Sequence, residues 1–232
     1  MINVIAFDAD DTLWHNESLY NMTQARFAEL LAAYHPPEEV EQRLYETEMR
    51  NLDFYGYGVK SFTLSMIETA VELSEGRVTG KEIQEIISFA RWMLNEPVEL
   101  LDGVEQTVVD MSQKYTLMVI TKGDLFDQES KVARSGLADY FTYVEVVSEK
   151  TSEVYRTLLE RHNIAPEQFL MAGNSVRSDV LPIVEIGGQA VHIPYHITWQ
   201  HETVTDDPIG QKDYFELEHI GQLPNLVEQL NK

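Results

Sequence analysis

The chain has 232 residues, of which 44% are hydrophobic and 24% charged; these globular values exclude wholesale disorder and allow one large domain or a core with a smaller attachment. It has no cysteine, which excludes a disulfide scaffold, a thiolate nucleophile and Cys-ligated zinc or iron–sulfur sites, and fits a reducing cytosol. Lys+Arg of 17 against Asp+Glu of 39 give a net charge of −22, so neither nucleic acid nor an anionic membrane is an expected partner.

The first element is the short apolar run Val4-Ile5-Ala6-Phe7, a buried strand that delivers Asp8, Asp10 and Thr12 into a turn. The run is too short for a membrane anchor and lacks a basic segment before it, so a cytoplasmic location is expected. Residues two apart on an extended chain face the same way, so Asp8 and Asp10 can share one small site. Two carboxylates so placed repel, and they persist together if a cation holds them or if one stays protonated for chemistry.

Residues 16–98 then read as helix after helix. Apolar residues recur at Phe27, Leu30, Leu31 and Tyr34, at Leu64, Ile67 and Val71, and at Ile83, Ile86, Ile87, Ala90 and Leu94. Pro36-Pro37 interrupts the first pair, and Thr79-Gly80-Lys81-Glu82 has the spacing of a capping box. The stretch Phe54-Tyr55-Gly56-Tyr57-Gly58 is either a packed inter-helix turn or a substrate-facing loop with Tyr55 and Tyr57 as its contacts. Asn95-Glu96-Pro97 is the expected return linker.

Four further apolar runs follow, at 117–120, 143–147, 169–172 and 190–193, separated by helical segments around Val104–Met111 and Val154–His162. Strands alternating with helices predict an α/β architecture, a Rossmann-like parallel sheet with helices on both faces. The expected organisation is a core of residues 1–15 and 99–232 interrupted by an all-helical domain at 16–98.

Reactive residues sit just past successive strand ends: Asp8 and Asp10, then Thr121 with Lys122 and Gly123, then Lys150, then Gly173-Asn174-Ser175 with Asp179. Ligands of open parallel sheets bind beyond those carboxyl ends. His192 and His196 have the four-residue spacing of a helical zinc pair, but Pro194 opposes a helix, so strand-end and loop histidines are the better reading.

In this order, Asp8-Ala9-Asp10-Asp11-Thr12, Thr121, Lys150 and the Gly173-to-Asp179 motif resemble the haloacid-dehalogenase-like hydrolase superfamily over essentially the whole chain. The helical insert resembles its C1-type cap. The resemblance implies a Mg²⁺-dependent phosphomonoesterase acting on a small phosphorylated metabolite. Asp8 would be the nucleophile that forms an aspartyl-phosphate, and Asp10 the acid and then the base. Thr121 would donate to a phosphoryl oxygen, and Lys150 would neutralise charge. Magnesium would be held by Asp8, the Asp10 carbonyl and Asp179, with Asn174 standing where the family usually has Asp. Thr12, Lys122 and Gly123 are assigned to the substrate, Lys122 either adding positive potential or pointing to solvent. Trp14 and His15 would line the cap–core cleft, unless Trp14 packs a hinge. Dehalogenases of the superfamily place a non-acidic residue two after the nucleophile, so Asp10 points to phosphate chemistry. The alternatives are a phosphomutase with the same apparatus and a phospho-accepting or partner-binding non-enzyme.

Overall fold

The computed structural model describes residues 1–197, 199–202 and 214–232. Among them, six strands form one parallel sheet in the order β3-β2-β1-β4-β5-β6. They are β1 (Val4–Phe7), β2 (Thr116–Lys122), β3 (Tyr143–Val147), β4 (Phe169–Gly173), β5 (Gln189–His192) and β6 (Phe215–Glu216). The four apolar runs after β1 correspond to β2 through β5. The two-residue β6, paired with β5, is an addition that no run of its own announces.

Alternate side chains of each strand feed two apolar layers, which is why the strands read as continuous hydrophobic runs. On one face Ile5, Phe7, Leu117, Val119, Leu170 and Ala172 pack with helices α5 (Val104–Ser112) and α9 (Leu223–Leu230). On the other, Ala6, Met118, Ile120 and Met171 pack with Tyr155, Leu158 and Leu159 of helix α7 (Ser152–Arg161). The reversal of strand order lies at β1, which pairs in parallel with both β2 and β4, and functional loops of such sheets gather at that point.

The chain divides into two compact units. One comprises Met1–Glu17, Val98–Lys122 and Gln128–Lys232 and carries the sheet; the other comprises Ser18–Pro97 and Gly123–Asp127. The second is built on helices α1 (Glu17–Leu30), α2 (Pro37–Tyr55), α3 (Val59–Leu73) and α4 (Gly80–Asn95), which enclose their own core of Phe27, Leu44, Phe62, Met66 and Ile86. The capping box is present: Thr79 accepts from the Glu82 N–H while the Glu82 carboxylate accepts from the Thr79 N–H. Residues Gly123–Asp127 join this unit through the Lys60–Asp124 ion pair at 2.8 Å. They include the start of helix α6 (Leu125–Arg134). No helix among the described residues is long and apolar enough to cross a membrane.

Candidate active site

The β1 ladder continues one residue past the strand, with the Asp8 N–H donating to the Ala172 carbonyl at 2.9 Å. That bond sets Asp8 at the mouth between β1 and β4. The chain then folds sharply: Asp11 takes φ +63°, and its N–H donates to the Trp14 carbonyl at 2.7 Å. Aspartate is among the few residues that tolerate this left-handed conformation. The buried Asp11 carboxylate accepts from the N–H groups of Asn16 and Glu17 and so holds the exit of the turn. Burial pushes its pKa up to about 7.

Asp8, Lys150 and Asp179 meet in a buried cluster. The Lys150 ammonium pairs with Asp8 Oδ1 and, at 2.6 Å, with Asp179 Oδ1. Asp179 reaches it from a π-helical turn (Val176–Val180), with its second oxygen accepting from the Ser175 N–H at 3.0 Å. Gly173 is required here, because a Cβ at that position would lie 2.2 Å from Asp179 Oδ2. Burial pushes the Asp8 carboxyl up; Lys150 opposes this and Asp179 adds to it. Burial works to lower Lys150, but Asp179 and Asp8 together outweigh it and hold the ammonium well above its ordinary range. The asymmetry follows from numbers: one cation is served by two carboxylates, while each carboxylate has half a cation.

Thr12 ties this cluster to the Gly173–Asp179 loop. Its hydroxyl lies 3.0 Å from Asp8 Oδ2 and accepts from the Asn174 N–H at 3.1 Å, with Asn174 Oδ1 at 3.3 Å. Its contacts are thus those of an anchor between two loops. Asn174 is held also through its carbonyl, 3.1 Å from His192 Nε2, while His192 Nδ1 faces Glu216 at 3.2 Å.

Asp10 points into a different set of partners. Oδ1 accepts from the buried Trp14 indole at 2.7 Å and from Lys131 at 3.0 Å; Oδ2 accepts from Gln128 at 2.8 Å and from Lys131 at 3.1 Å. Trp14 packs in the buried core of the sheet-bearing unit and is at the same time a hydrogen-bond partner of Asp10. Thr121 is buried at the end of β2, its hydroxyl 3.3 Å from Gln128 Oε1. His15 Nδ1 faces the Tyr195 hydroxyl at 2.7 Å.

The remaining expected residues have partners of their own. Lys122 neither points to solvent nor joins Asp8: it pairs with Glu202 at 2.5 Å and donates to Ser178 at 3.0 Å. Glu202 also accepts from the Ser175 and Ser178 hydroxyls at 2.5 and 2.6 Å. Burial alone would raise Glu202, but Lys122 and the two serines outweigh it and bring it down to about 2. Gly123 turns the chain at φ +139° and groups with the helical unit, as do Tyr55 and Tyr57. Phe54 and Tyr55 are exposed rather than packed, and Tyr57 is half-buried. His192 ends β5 and His196 lies in the following loop with its ring against Tyr195; no group of three or more His, Cys, Asp or Glu suited to a metal occurs among the described residues.

A model of the haloacid dehalogenase-like hydrolase family matches residues 2–187. The chain belongs to that family. A haloacid dehalogenase-like hydrolase of Xanthomonas campestris is 41% identical to it in a structural match covering 99% of this chain and 91% of that one, with a TM-score of 0.87. Two curated relatives are more distant. The 5-amino-6-(5-phospho-D-ribitylamino)uracil phosphatase of Escherichia coli strain K12 is 23% identical over 83% of each chain. The glyceraldehyde 3-phosphate phosphatase of Pyrococcus furiosus is 23% identical over all of this chain and 94% of its own. Gln128, Lys131 and Glu202, prominent in this hydrolase, carry no signature in its sequence. They look like ordinary polar positions until the fold brings residues more than 50 apart together.

Proposed function

We propose that this hydrolase is a phosphomonoesterase that cleaves small alkyl phosphates through a phosphorylated Asp8. The observation that carries the reading is the buried Asp8–Lys150–Asp179 cluster at the sheet's reversal point, with a second carboxylate, Asp10, two residues on. Both curated relatives are named for small phosphomonoesters of an alkyl carbon chain, which supports the substrate class.

An Asp8 carboxylate oxygen attacks phosphorus, and the bond from phosphorus to the departing alkoxide breaks. Asp10 gives that oxygen a proton. Water then attacks the phosphoryl-aspartate, Asp10 takes the water's proton, and inorganic phosphate leaves with Asp8 restored. Lys150 offsets charge on Asp8 and on the transferring group, and Thr121 donates its hydroxyl to a phosphoryl oxygen. The helical unit serves as the cap of this family.

Magnesium fits the donor chemistry. Asp8 and Asp179 with Lys150 sum to one net negative charge (−1 −1 +1 = −1) in a buried site of hard oxygen donors, and magnesium typically takes one or two carboxylates plus substrate phosphate. Asp8, Asp179 and the Asp10 carbonyl would hold it, with Asn174 offering a neutral oxygen. Bound there, it would supply electrophilic charge at the phosphoryl oxygens.

Phosphate release across a panel of sugar phosphates, nucleotides, flavin mononucleotide and triose phosphates, with and without Mg²⁺, tests the reading. Turnover is expected only with the metal, and Asp8→Asn is expected to abolish it. Retention of a tenth of the wild-type rate in that variant would refute the nucleophile assignment.

A further inference from the structure

We propose that Lys131 and Gln128 are positioning residues that aim the Asp10 carboxylate at the departing oxygen. The inference rests on the phosphatase reading above. A carboxylate on a tight turn has two free torsions, and proton delivery needs its oxygen within hydrogen-bond reach of the leaving atom. Three side chains remove that freedom. Trp14 acts from the same turn, while Gln128 and Lys131 come from one face of α6, three residues apart.

Burial separates this arrangement from an incidental ion pair. Exposed pairs contribute little, whereas Gln128 is 2% exposed and the Lys131 side chain 12%. Placing an amide and an ammonium there costs free energy unless their donors are used. The other end of Gln128 faces Thr121, so one amide spans the residue assigned to the phosphoryl group and the residue assigned to the leaving group.

Lys131 is itself held in place. With the contacts from Trp14 and Gln128 included, Asp10 accepts four hydrogen bonds, as many as a carboxylate has lone-pair directions. Lys131 donates at 2.9 Å to Asn16 Oδ1 as well, so its ammonium is fixed from a second side.

The test separates aim from mere stability by leaving group. In kcat/KM, which reports steps up to the phosphorylation of Asp8, p-nitrophenyl phosphate needs no proton for its leaving group and an alkyl phosphate does. With the alkyl phosphate turned over best by wild type, Lys131→Met is expected to lower kcat/KM about 30-fold, part of the usual worth of acid–base catalysis. With p-nitrophenyl phosphate the expected loss is below about threefold by the same reasoning. Gln128→Met is expected to shift the alkyl-to-aryl ratio in the same direction. Lys131→Arg, which keeps two donors for Asp10, is expected to restore it.

Equal losses on both substrates, or none on either, overturn the proposal. So does an Arg variant that melts like wild type but discriminates like Met. If Lys131→Met does not fold, Gln128→Met, expected to shift the ratio, and Lys131→Arg, expected to keep it at the wild-type value, decide. Turnover of p-nitrophenyl phosphate surviving Asp8→Asn would instead overturn the nucleophile assignment, and the absence of phosphate release from every substrate by wild type would overturn the phosphatase reading itself.

Discussion

Glu48, on α2 in the helical unit, is a carboxyl outside the candidate site whose protonation stabilises this protein. Its Oε2 is buried with no hydrogen-bond partner, and burial pushes its carboxyl from 4.5 up to about 8. The folded chain therefore keeps a proton that the unfolded chain gives up. Below pH 4.5 both states hold that proton and nothing is lost; between 4.5 and about 8 stability falls as pH rises, and above 8 the loss is complete. At about 1.4 kcal/mol per unit, the shift of 3.5 (8 − 4.5) bounds the loss at about 5 kcal/mol. Glu48→Gln removes the titration but leaves an amide needing a partner, a cost of about 1–3 kcal/mol. The net gain at pH 8 is thus roughly 3 kcal/mol, some 6–12 °C in melting temperature for a chain of this size. Urea unfolding followed by far-UV circular dichroism at pH 5 and pH 8 gives both numbers. A wild-type-to-variant difference that is the same at the two pH values would refute the reasoning.

Asp179→Ala is expected to raise the Mg²⁺ concentration for half-maximal phosphate release at least about tenfold, by loss of one of two acidic donors; an unchanged titration moves the role to Asn174 or elsewhere. Gly173→Ala drives a Cβ to within 2.2 Å of Asp179 Oδ2, so it is expected to inactivate the protein and to cost about 1–3 kcal/mol of stability. A variant with wild-type melting temperature and activity would show that Asp179 has room to move.

The sheet was legible because its inner strands are buried on both faces and so appear as unbroken apolar runs bounded by polar turns. β6 was not, since Phe215–Glu216 is too short for any period to register. At the site, the motif residues were legible as types at strand ends. What they touch was not. The partners of Asp10 lie 118 and 121 residues away on a helix whose polar positions have ordinary spacing. Lys122 carries a charge that the sequence offers to a phosphate, but the fold assigns it to Glu202, 80 residues on. Long-range pairing of this kind depends on crossover geometry, which local pattern does not encode.

Asn174 shows how such pairing changes the meaning of a departure from family pattern. By type it is a lost acid. In place, its N–H donates to Thr12, its carbonyl meets His192 and its amide oxygen lies near the Thr12 hydroxyl, so it serves as a neutral joint between the β1 turn and the β4 loop. An aspartate there would bring the cluster of Asp8, Asp179 and Lys150 from −1 to −2 (−1 −1 = −2) in a site where one ammonium already serves two buried carboxylates. With the proposed Mg²⁺ and a dianionic phosphoryl group added, the present set sums to −1 (−1 +2 −2), and the aspartate set to −2. Buried net charge is costly without a counter-charge. On the proposed reading, the neutral residue would give up metal affinity in the resting site and lower the anionic load once the phosphate is bound.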